Sequence, residues 1–440
     1  MLMVSVPEIR AVGGSTTPII TPSGIPPRQL TAAFVYLRAM LEIRPIADSE
    51  AEVFRDCVMT TFGGDRGDDP AGAARFRALV APGRAWAAFD AGTVVATAGS
   101  FALTLGIPGG TLAMAGLTMV AVRPSHRRQG LLRALIRLHL EDARTRGEPI
   151  SGLWASEATI YGRFGYGVAA EGDALEIDTR GLAITAGADG DGDACEWLDE
   201  AAARARLPAI YARAIADRPG ALHRSERWWR ERRFLEAPFL REGASLRRHV
   251  VVQRGGDAVG YVVYRQRGGF HGGKPSGTTE IVELIAVDAR AEASLWRFVL
   301  GTDLFPTATW ANAPTDTTLP WIVSDPRRVV RRRSDTLWLR IDDVAATLAA
   351  RRYPADGELR FAVGAETWQL VVDGGRACCA AVDAAPELRL ELAALGSVVL
   401  GGVSVALLAR AGTITGGADA VARADRLFAW PIAPWCPEVF

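Results

Sequence analysis

The sequence predicts an α+β, mixed-sheet protein in which one fold occurs twice and a smaller α+β domain follows. Each copy is a mixed central sheet with flanking helices. Three observations predict it. The chain has 440 residues, a length that at roughly 100–200 residues per domain suits two to four domains. A strand–turn–strand–strand–helix pattern occurs twice at equal spacing, 32 residues from Asp90 to Val122 and 32 from Gly255 to Val287. After the basic run Arg327–Arg333 the texture changes to short strands and short helices.

The elements follow in order. Residues 13–30 are rich in Gly, Ser, Thr and Pro, so 1–39 are set apart as a flexible leader, with Met1 and Met40 both open as translation starts. Leu41 begins a strand, and Asp48–Thr61 a capped helix. Ala85–Asp90, an Asp90-Ala91-Gly92 turn and Thr93–Leu103 form a hairpin, and 113–122 a further strand. A helix follows from Leu131 with apolar residues at a 3.6 period and Gly147 as its stop. Pro149–Ala155 is a strand, Glu157–Phe164 a short helix and Gly167–Asp178 a closing strand. In the second copy, Val250–Arg254 and Ala258–Arg265 repeat the hairpin, Glu280–Val287 the strand and Ala289–Leu300 the helix. Leu337–Ile341, Glu358–Val363 and Thr367–Asp373 then read as strands, and Val344–Arg351, Ser404–Ala411 and Ala418–Ala429 as helices. The resulting domains are 40–185, 186–330 and 331–440.

Composition narrows the function. Hydrophobic residues make up 49% and charged residues 23%, the balance of a soluble globular chain. Fifty basic residues meet fifty acidic ones, so there is no electrostatic footprint for wrapping nucleic acid. Lys274 is the single lysine; the other basic residues are arginine. No apolar stretch approaches the roughly 18–20 residues of a membrane span, and the N-terminus lacks a signal-peptide pattern. Cys57, Cys195, Cys378, Cys379 and Cys436 are odd in number, with no CxxC pair and no metal spacing. A reduced, cytoplasmic protein without a metal is expected.

The segment that carries chemistry runs from Val120 to Arg133. A strand ends in a loop holding Arg127, Arg128 and Gly130, and a helix begins at once. That arrangement aims backbone N–H groups and the positive end of a helix dipole at one point, which suits a pyrophosphate. Gly130 lets the backbone approach closely, and the two arginines add charge-assisted contacts. Strand residues Val120, Ala121 and Val122 can present backbone groups to an extended pantetheine arm. Neither GxxxxGK[ST] nor GxGxxG after a strand is present, which argues against nucleoside triphosphates and dinucleotides.

The pattern V-x-V-x-P-x-x-R-R-x-G at 120–130 resembles the acetyl-CoA motif of GNAT acetyltransferases. With Trp154-Ala-Ser-Glu-Ala-Thr-Ile-Tyr-Gly-Arg-Phe-Gly-Tyr-Gly167 it resembles the Eis (enhanced intracellular survival) family, over roughly residues 41–440. The resemblance implies an active GNAT domain, a degenerate GNAT domain and a domain similar to sterol carrier proteins. It implies acetyl-CoA as co-substrate, contacted by Val120–Val122 through the backbone and by Arg128, Gln129, Gly130, Leu131, Leu132 and Arg133. Arg127 flanks these, and Ser156 with Glu157 also lines the cofactor. It further implies Tyr161 as general acid, the α-carboxylate of Phe440 as general base, and a homohexamer.

Physical chemistry qualifies those roles. Direct attack of an amine on a thioester needs no enzyme nucleophile. A tyrosine with an ordinary pKa of about 10 is a weaker acid than a thiol near 8.5, so transfer to the thiolate is uphill by roughly 2 kcal/mol and hydrogen bonding carries much of the role. A terminal carboxylate near pKa 3.5 is a poor base for an ammonium ion, so Phe440 reads first as an anchor for a polyamine and second as the base. Three prolines and two tryptophans between Trp430 and Phe440 argue against a frayed end. Tyr166 reads as a core tyrosine. In the second copy Asp288 and Glu292 stand where the arginines and glycine belong, so no CoA is expected there. In the family an acid precedes the last residue, whereas here Val439 does, with Glu438 before it. Asp65 or Asp68 could add an acid to a substrate pocket. The expected reaction is acetylation of primary amines on a polycationic small molecule, such as an aminoglycoside, or of a lysine side chain. A non-catalytic carrier of an apolar ligand and a peptide N-terminal acetyltransferase remain as alternatives.

Overall fold

The computed structural model describes residues 41–65, 71–80, 83–185, 193–236, 241 and 243–440. The leader 1–39, Met40 and Asp68 lie outside them. The chain divides into two compact units, one holding residues up to 100 together with 119–139, the other 101–118 together with 140–440.

In the first unit, β1 (Leu41–Pro45) pairs antiparallel with β2 (Ala85–Asp90), and β2 with the first part of β3 (Thr93–Ile107). The Ala91-Gly92 turn makes the hairpin, both residues having positive φ. Helices α1 (Ala51–Thr61) and α2 (Gly72–Leu79) pack through the stacked rings of Phe54 and Phe76, 4.9 Å apart. The end of β4 (Gly110–Val122) and the start of α3 (Leu131–Thr145) complete the unit. Near the end of β4, Met119 has φ +52°, a kink held by a 2.8 Å hydrogen bond from the Thr97 hydroxyl to its carbonyl.

In the second unit, β4 runs parallel to β5 (Ile150–Trp154), from Met114 opposite Ile150 to Gly116 opposite Gly152. A short helix, α4 (Ala158–Tyr161), leads to β6 (Gly167–Asp178). The second copy is built from β7 (Asp193–Leu198), α5 (Glu200–Ala214), β8 (Arg248–Arg254), β9 (Asp257–Arg267), β10 (Thr278–Ala286), α6 (Ala289–Leu300) and β11 (Thr307–Ala313). Strands β7 to β10 form an antiparallel meander, and β11 returns parallel to β10, as a crossover through α6 allows. The closing strands of the two copies, β6 and β11, pair antiparallel, so neither is left as an open edge.

Strand β12 (Val329–Ile341) departs from the sequence reading. It lies between β5 and β6, antiparallel to both, so residues 331–341 belong to this sheet rather than to the C-terminal one. An alternating apolar run such as Leu337–Ile341 fits any half-buried sheet and does not say which. The basic run is its other half: Arg331 and Arg333 both pair with the buried Asp173 on β6, and Arg332 with Glu176.

The C-terminal domain comprises α7 (Val344–Ala350), β13 (Gly357–Val363), β14 (Glu366–Asp373), β15 (Arg376–Ala381), β16 (Leu388–Leu390), α8 (Leu392–Val398), α9 (Val405–Arg410), β17 (Ile414–Gly416) and α10 (Ala418–Phe428). Its sheet order is β15-β14-β13-β16-β17. Sequence reading passes over β15, β16, β17 and α8. The Arg-Ala-Cys-Cys-Ala-Ala of β15 has little β-propensity, and α8 is buried from Ala394 to Val398, so it shows no polar face from which a helical period could be read. α8 lies against β6 and β12 at backbone distance. A Cβ on Gly167 would stand 1.8 Å from the Ala393 carbonyl oxygen, and one on Gly396 2.2 Å from that of Leu339. Among the described residues, no helix is long and apolar enough to cross a membrane.

Candidate active site

In the first unit, the loop after β4 makes a 3-10 turn at Pro124–His126. His126 fixes it: Nε2 lies 3.0 Å from Asp90 at the hairpin tip and Nδ1 2.9 Å from the Ser125 hydroxyl. The Arg123 N–H donates to the Val95 carbonyl at 2.9 Å, tying the loop to β3. The chain is extended at Arg127 and left-handed at both Arg128 (φ +64°) and Gly130 (φ +83°) before α3 begins. Arg127, Arg128, Gln129, Gly130 and Arg133 are exposed, Leu132 is half-buried, and Leu131 is buried as the first core residue of the helix. Val120 and Val122 are half-buried and Ala121 is buried. Space beyond Gly130 is open, since a Cβ there would meet nothing within 4 Å. The glycine is thus demanded by its backbone angle, and the first helical turn that follows it has N–H groups without an intrahelical partner, as every helix start does.

In the second unit, Ser156 and Glu157 are exposed just before α4, whose last residue, Tyr161, is buried. Burial, and then the negative charge of Glu157, push the Tyr161 phenol up to about 12, against a hydrogen bond with Ser156. The Tyr161 ring meets Tyr166 edge-on at 6.1 Å. The Tyr166 hydroxyl lies 2.7 Å from the Ser151 hydroxyl, which is also placed to donate to the Ala115 carbonyl at 3.2 Å. Ser151 has one proton to give. Committing it to Ala115 makes Tyr166 the donor to Ser151, a structural tyrosine whose proton is spoken for.

The neighbouring strand residue, Gly116, marks the place of Phe440. A Cβ at Gly116 would stand 3.2 Å from the Phe440 ring and 2.5 Å from Leu103. The last residue is therefore packed over β4, and it is 6% exposed. The tail reaches it without regular secondary structure, held by named bonds. The Trp435 N–H donates to Pro219 at 2.9 Å, its indole to Asn312 at 3.2 Å, and the Asn312 amide to Cys436 at 2.9 Å. Through Tyr166, Ser151 and the Ala115–Gly116 strand, one series of contacts joins Tyr161 to Phe440.

The second copy shows what its acids do. Asp288 caps α6, accepting the Ala291 N–H at 2.8 Å, and pairs with Arg254 at 2.8 Å. Glu292 accepts from the Thr317 hydroxyl at 2.8 Å and the Thr318 N–H at 3.0 Å. At the helix start that would face a phosphate, the Asp288 carboxylate takes an N–H of the first turn, while Glu292 serves residues 317–318. Asp65 is exposed after α1. No group of three or more metal-ligating side chains occurs among the described residues.

Residues 42–169 match the acetyltransferase (GNAT) domain family, 220–341 match a second acetyltransferase (GNAT) domain family, and 344–437 match the sterol carrier protein domain. An uncharacterized N-acetyltransferase of Streptomyces avermitilis is 34% identical, over 91% of this chain and 99% of its own. N-acetyltransferase Eis of Mycobacterium tuberculosis is 34% identical, over 74% of this chain and 81% of its own. The chain belongs to the Eis family. The crystal structure of Eis1 from Mycobacterium abscessus superposes with a TM-score of 0.77 at 31% identity, covering 91% of this chain and 100% of that one. The protein is accordingly an N-acetyltransferase of the Eis type, with two GNAT domains and a sterol-carrier-like domain. GNAT acetyltransferases take the acetyl group from acetyl-CoA. Sequence reading missed one set of residues in this Eis-family chain: Arg224, Arg233, Tyr261 and Glu283, which gather around the tail residue Glu438. Their signal is the run Arg224–Phe234, in which five arginines are interleaved with Trp228 and Trp229.

Proposed function

We propose that the protein transfers acetyl from acetyl-CoA directly to a primary amine of a polycationic, aminoglycoside-like small molecule or a lysine side chain. The observation that carries this reading is the loop at 123–130, in which left-handed Arg128 and Gly130 leave open space before a helix N-terminus. Arg127, Arg128 and the N–H groups of Gln129–Arg133 would hold the pyrophosphate, and Val120–Val122 the pantetheine arm. Ser156 and Glu157 would line the same co-substrate.

In the reaction the amine nitrogen attacks the thioester carbonyl, the carbon–sulfur bond breaks, and the nitrogen gives up a proton. Tyr161 serves the departing sulfur. With its pKa near 12 against about 8.5 for a thiol, complete proton transfer is uphill by roughly 5 kcal/mol. Tyr161 therefore acts chiefly as a hydrogen-bond donor to developing thiolate charge, in a setting where burial strengthens that bond. Phe440 supplies a negative charge that anchors the cationic amine and secondarily accepts the proton. A cytoplasmic setting fits the five cysteines, all free thiols.

The test is acetyl release across aminoglycosides, polyamines, histone-like peptides and amino acids, with acetyl-CoA binding measured separately. Tyr161→Phe and deletion of Phe440 are each expected to lower kcat by about a hundredfold, with acetyl-CoA affinity retained. Wild-type turnover in either variant would sink its assigned role. Turnover confined to peptide N-termini would overturn the substrate class.

A further inference from the structure

Glu438 is two residues from the end of the chain, yet its side chain is only 2% exposed and lies inside the second GNAT domain. There it pairs with Arg224, whose side chain is wholly buried. Arg224 also donates to Glu283 at 3.1 Å and lies in the corner of two perpendicular aromatic rings, 3.7 Å from that of Tyr211 and 4.6 Å from that of Trp229. Glu283 receives the Tyr261 hydroxyl at 2.6 Å, and Arg233 at 3.0 Å; Arg233 approaches Glu438 at 3.9 Å. Arg232 donates to the Val439 carbonyl. Two guanidinium groups thus face two carboxylates, one from the sheet and one from the tail. Without Glu438 the balance fails, and a buried, uncompensated positive charge is costly.

The place of Glu283 adds a second observation. It follows Arg254, the residue before its hairpin turn, by 29 residues, as Met119 follows Asp90 in the first copy. The β10 register slips between Ile281 and Glu283, and the β4 backbone kinks at Met119. The duplicated strand has kept its irregularity and put a carboxylate there, while the adjoining helix start is capped by Asp288.

We propose that the second GNAT domain is a dock for the C-terminal tail, with Arg224 and Glu438 as positioning residues that hold Phe440 over β4. Its bearing on catalysis rests on the reading that Phe440 takes part in acetyl transfer. The domain that lost its own phosphate site has kept the strand position and uses it to seat the end of the chain.

The experiment uses the full chain with Glu438→Gln and Arg224→Met, and two readouts. The first is the rate at which carboxypeptidase releases Phe440. The second is steady-state kinetics with whichever amine the wild type acetylates, alongside acetyl-CoA affinity. Both variants are expected to lose Phe440 at least about tenfold faster and to show kcat lowered at least about tenfold, with acetyl-CoA affinity within about twofold. Should Arg224→Met fail to fold, Glu438→Gln decides alone, because the amide keeps the shape and removes only the charge. Release as slow as wild type in Glu438→Gln overturns the dock. Faster release with unchanged kcat leaves the dock standing and overturns the part given to Phe440.

Discussion

Tyr161 and Tyr166 stand five residues apart in one motif and are both buried, but their protons have different fates. Tyr166 gives its proton to Ser151, whereas Tyr161 is raised to about 12 by burial and the Glu157 charge. A phenol whose pKa rises on folding holds its proton more tightly in the native state. Its contribution is complete below about pH 10 and is lost as pH climbs through about 12. Comparing wild type with Tyr161→Phe in denaturant melts from pH 9 to 12 should show an extra loss of about 2 kcal/mol in the wild type. Parallel curves would mean that Tyr161 is not perturbed. The identity of Tyr161 was legible in the sequence; its acidity was not, because burial is set by the fold around α4. Glu438 shows the same limit, since its distance from the chain end says nothing of the arginines it meets.

At the scale of the element, the loop between β4 and α3 was the most legible part of the chain. Residue types alone located the helix start, the arginines and the glycine. The left-handed backbone of Arg128 was not legible, because a non-glycine residue adopts it at a cost of about 1–2 kcal/mol only where its surroundings enforce it. Arg128→Gly removes that strain together with the charge. Its stability is expected to stay within about 1 kcal/mol of wild type, while acetyl-CoA binding weakens by roughly tenfold or more with the loss of a charge-assisted contact. Thermal melts and calorimetric titration separate the two effects. Unchanged affinity would remove Arg128 from the binding site. The α6 start is the counterpart: the sequence showed acids there, and the structure shows Asp288 spent on capping and on Arg254, and Glu292 on Thr317 and Thr318.

At the largest scale, within the second unit, segments that read as three separate domains in sequence share surfaces. β6 pairs with β11, β12 inserts between β5 and β6, and α8 of the C-terminal domain lies on β6 and β12. Gly167 and Gly396 permit that last approach. Gly167→Ala puts a methyl group 1.8 Å from a backbone carbonyl oxygen, where no side chain can swing aside. It is expected to cost about 3 kcal/mol or more and to lower the urea midpoint. An unchanged midpoint would show that α8 can shift away from the sheet freely.

The sequence by itself determined the local features: the duplicated pattern, the strand–loop–helix segment with its arginines and glycine in one copy, acids at that place in the other, and a tail too rich in proline and tryptophan to fray. Each depends on residues close together in the chain, where residue type and spacing limit backbone geometry. Only the tertiary structure decided the sheet that takes β12, the acidity of Tyr161 and the seat of Glu438. These are contacts across as many as 214 residues of chain, as from Arg224 to Glu438. Such contacts depend on which buried surfaces and charges meet once the domains have closed on one another, and no periodicity records that.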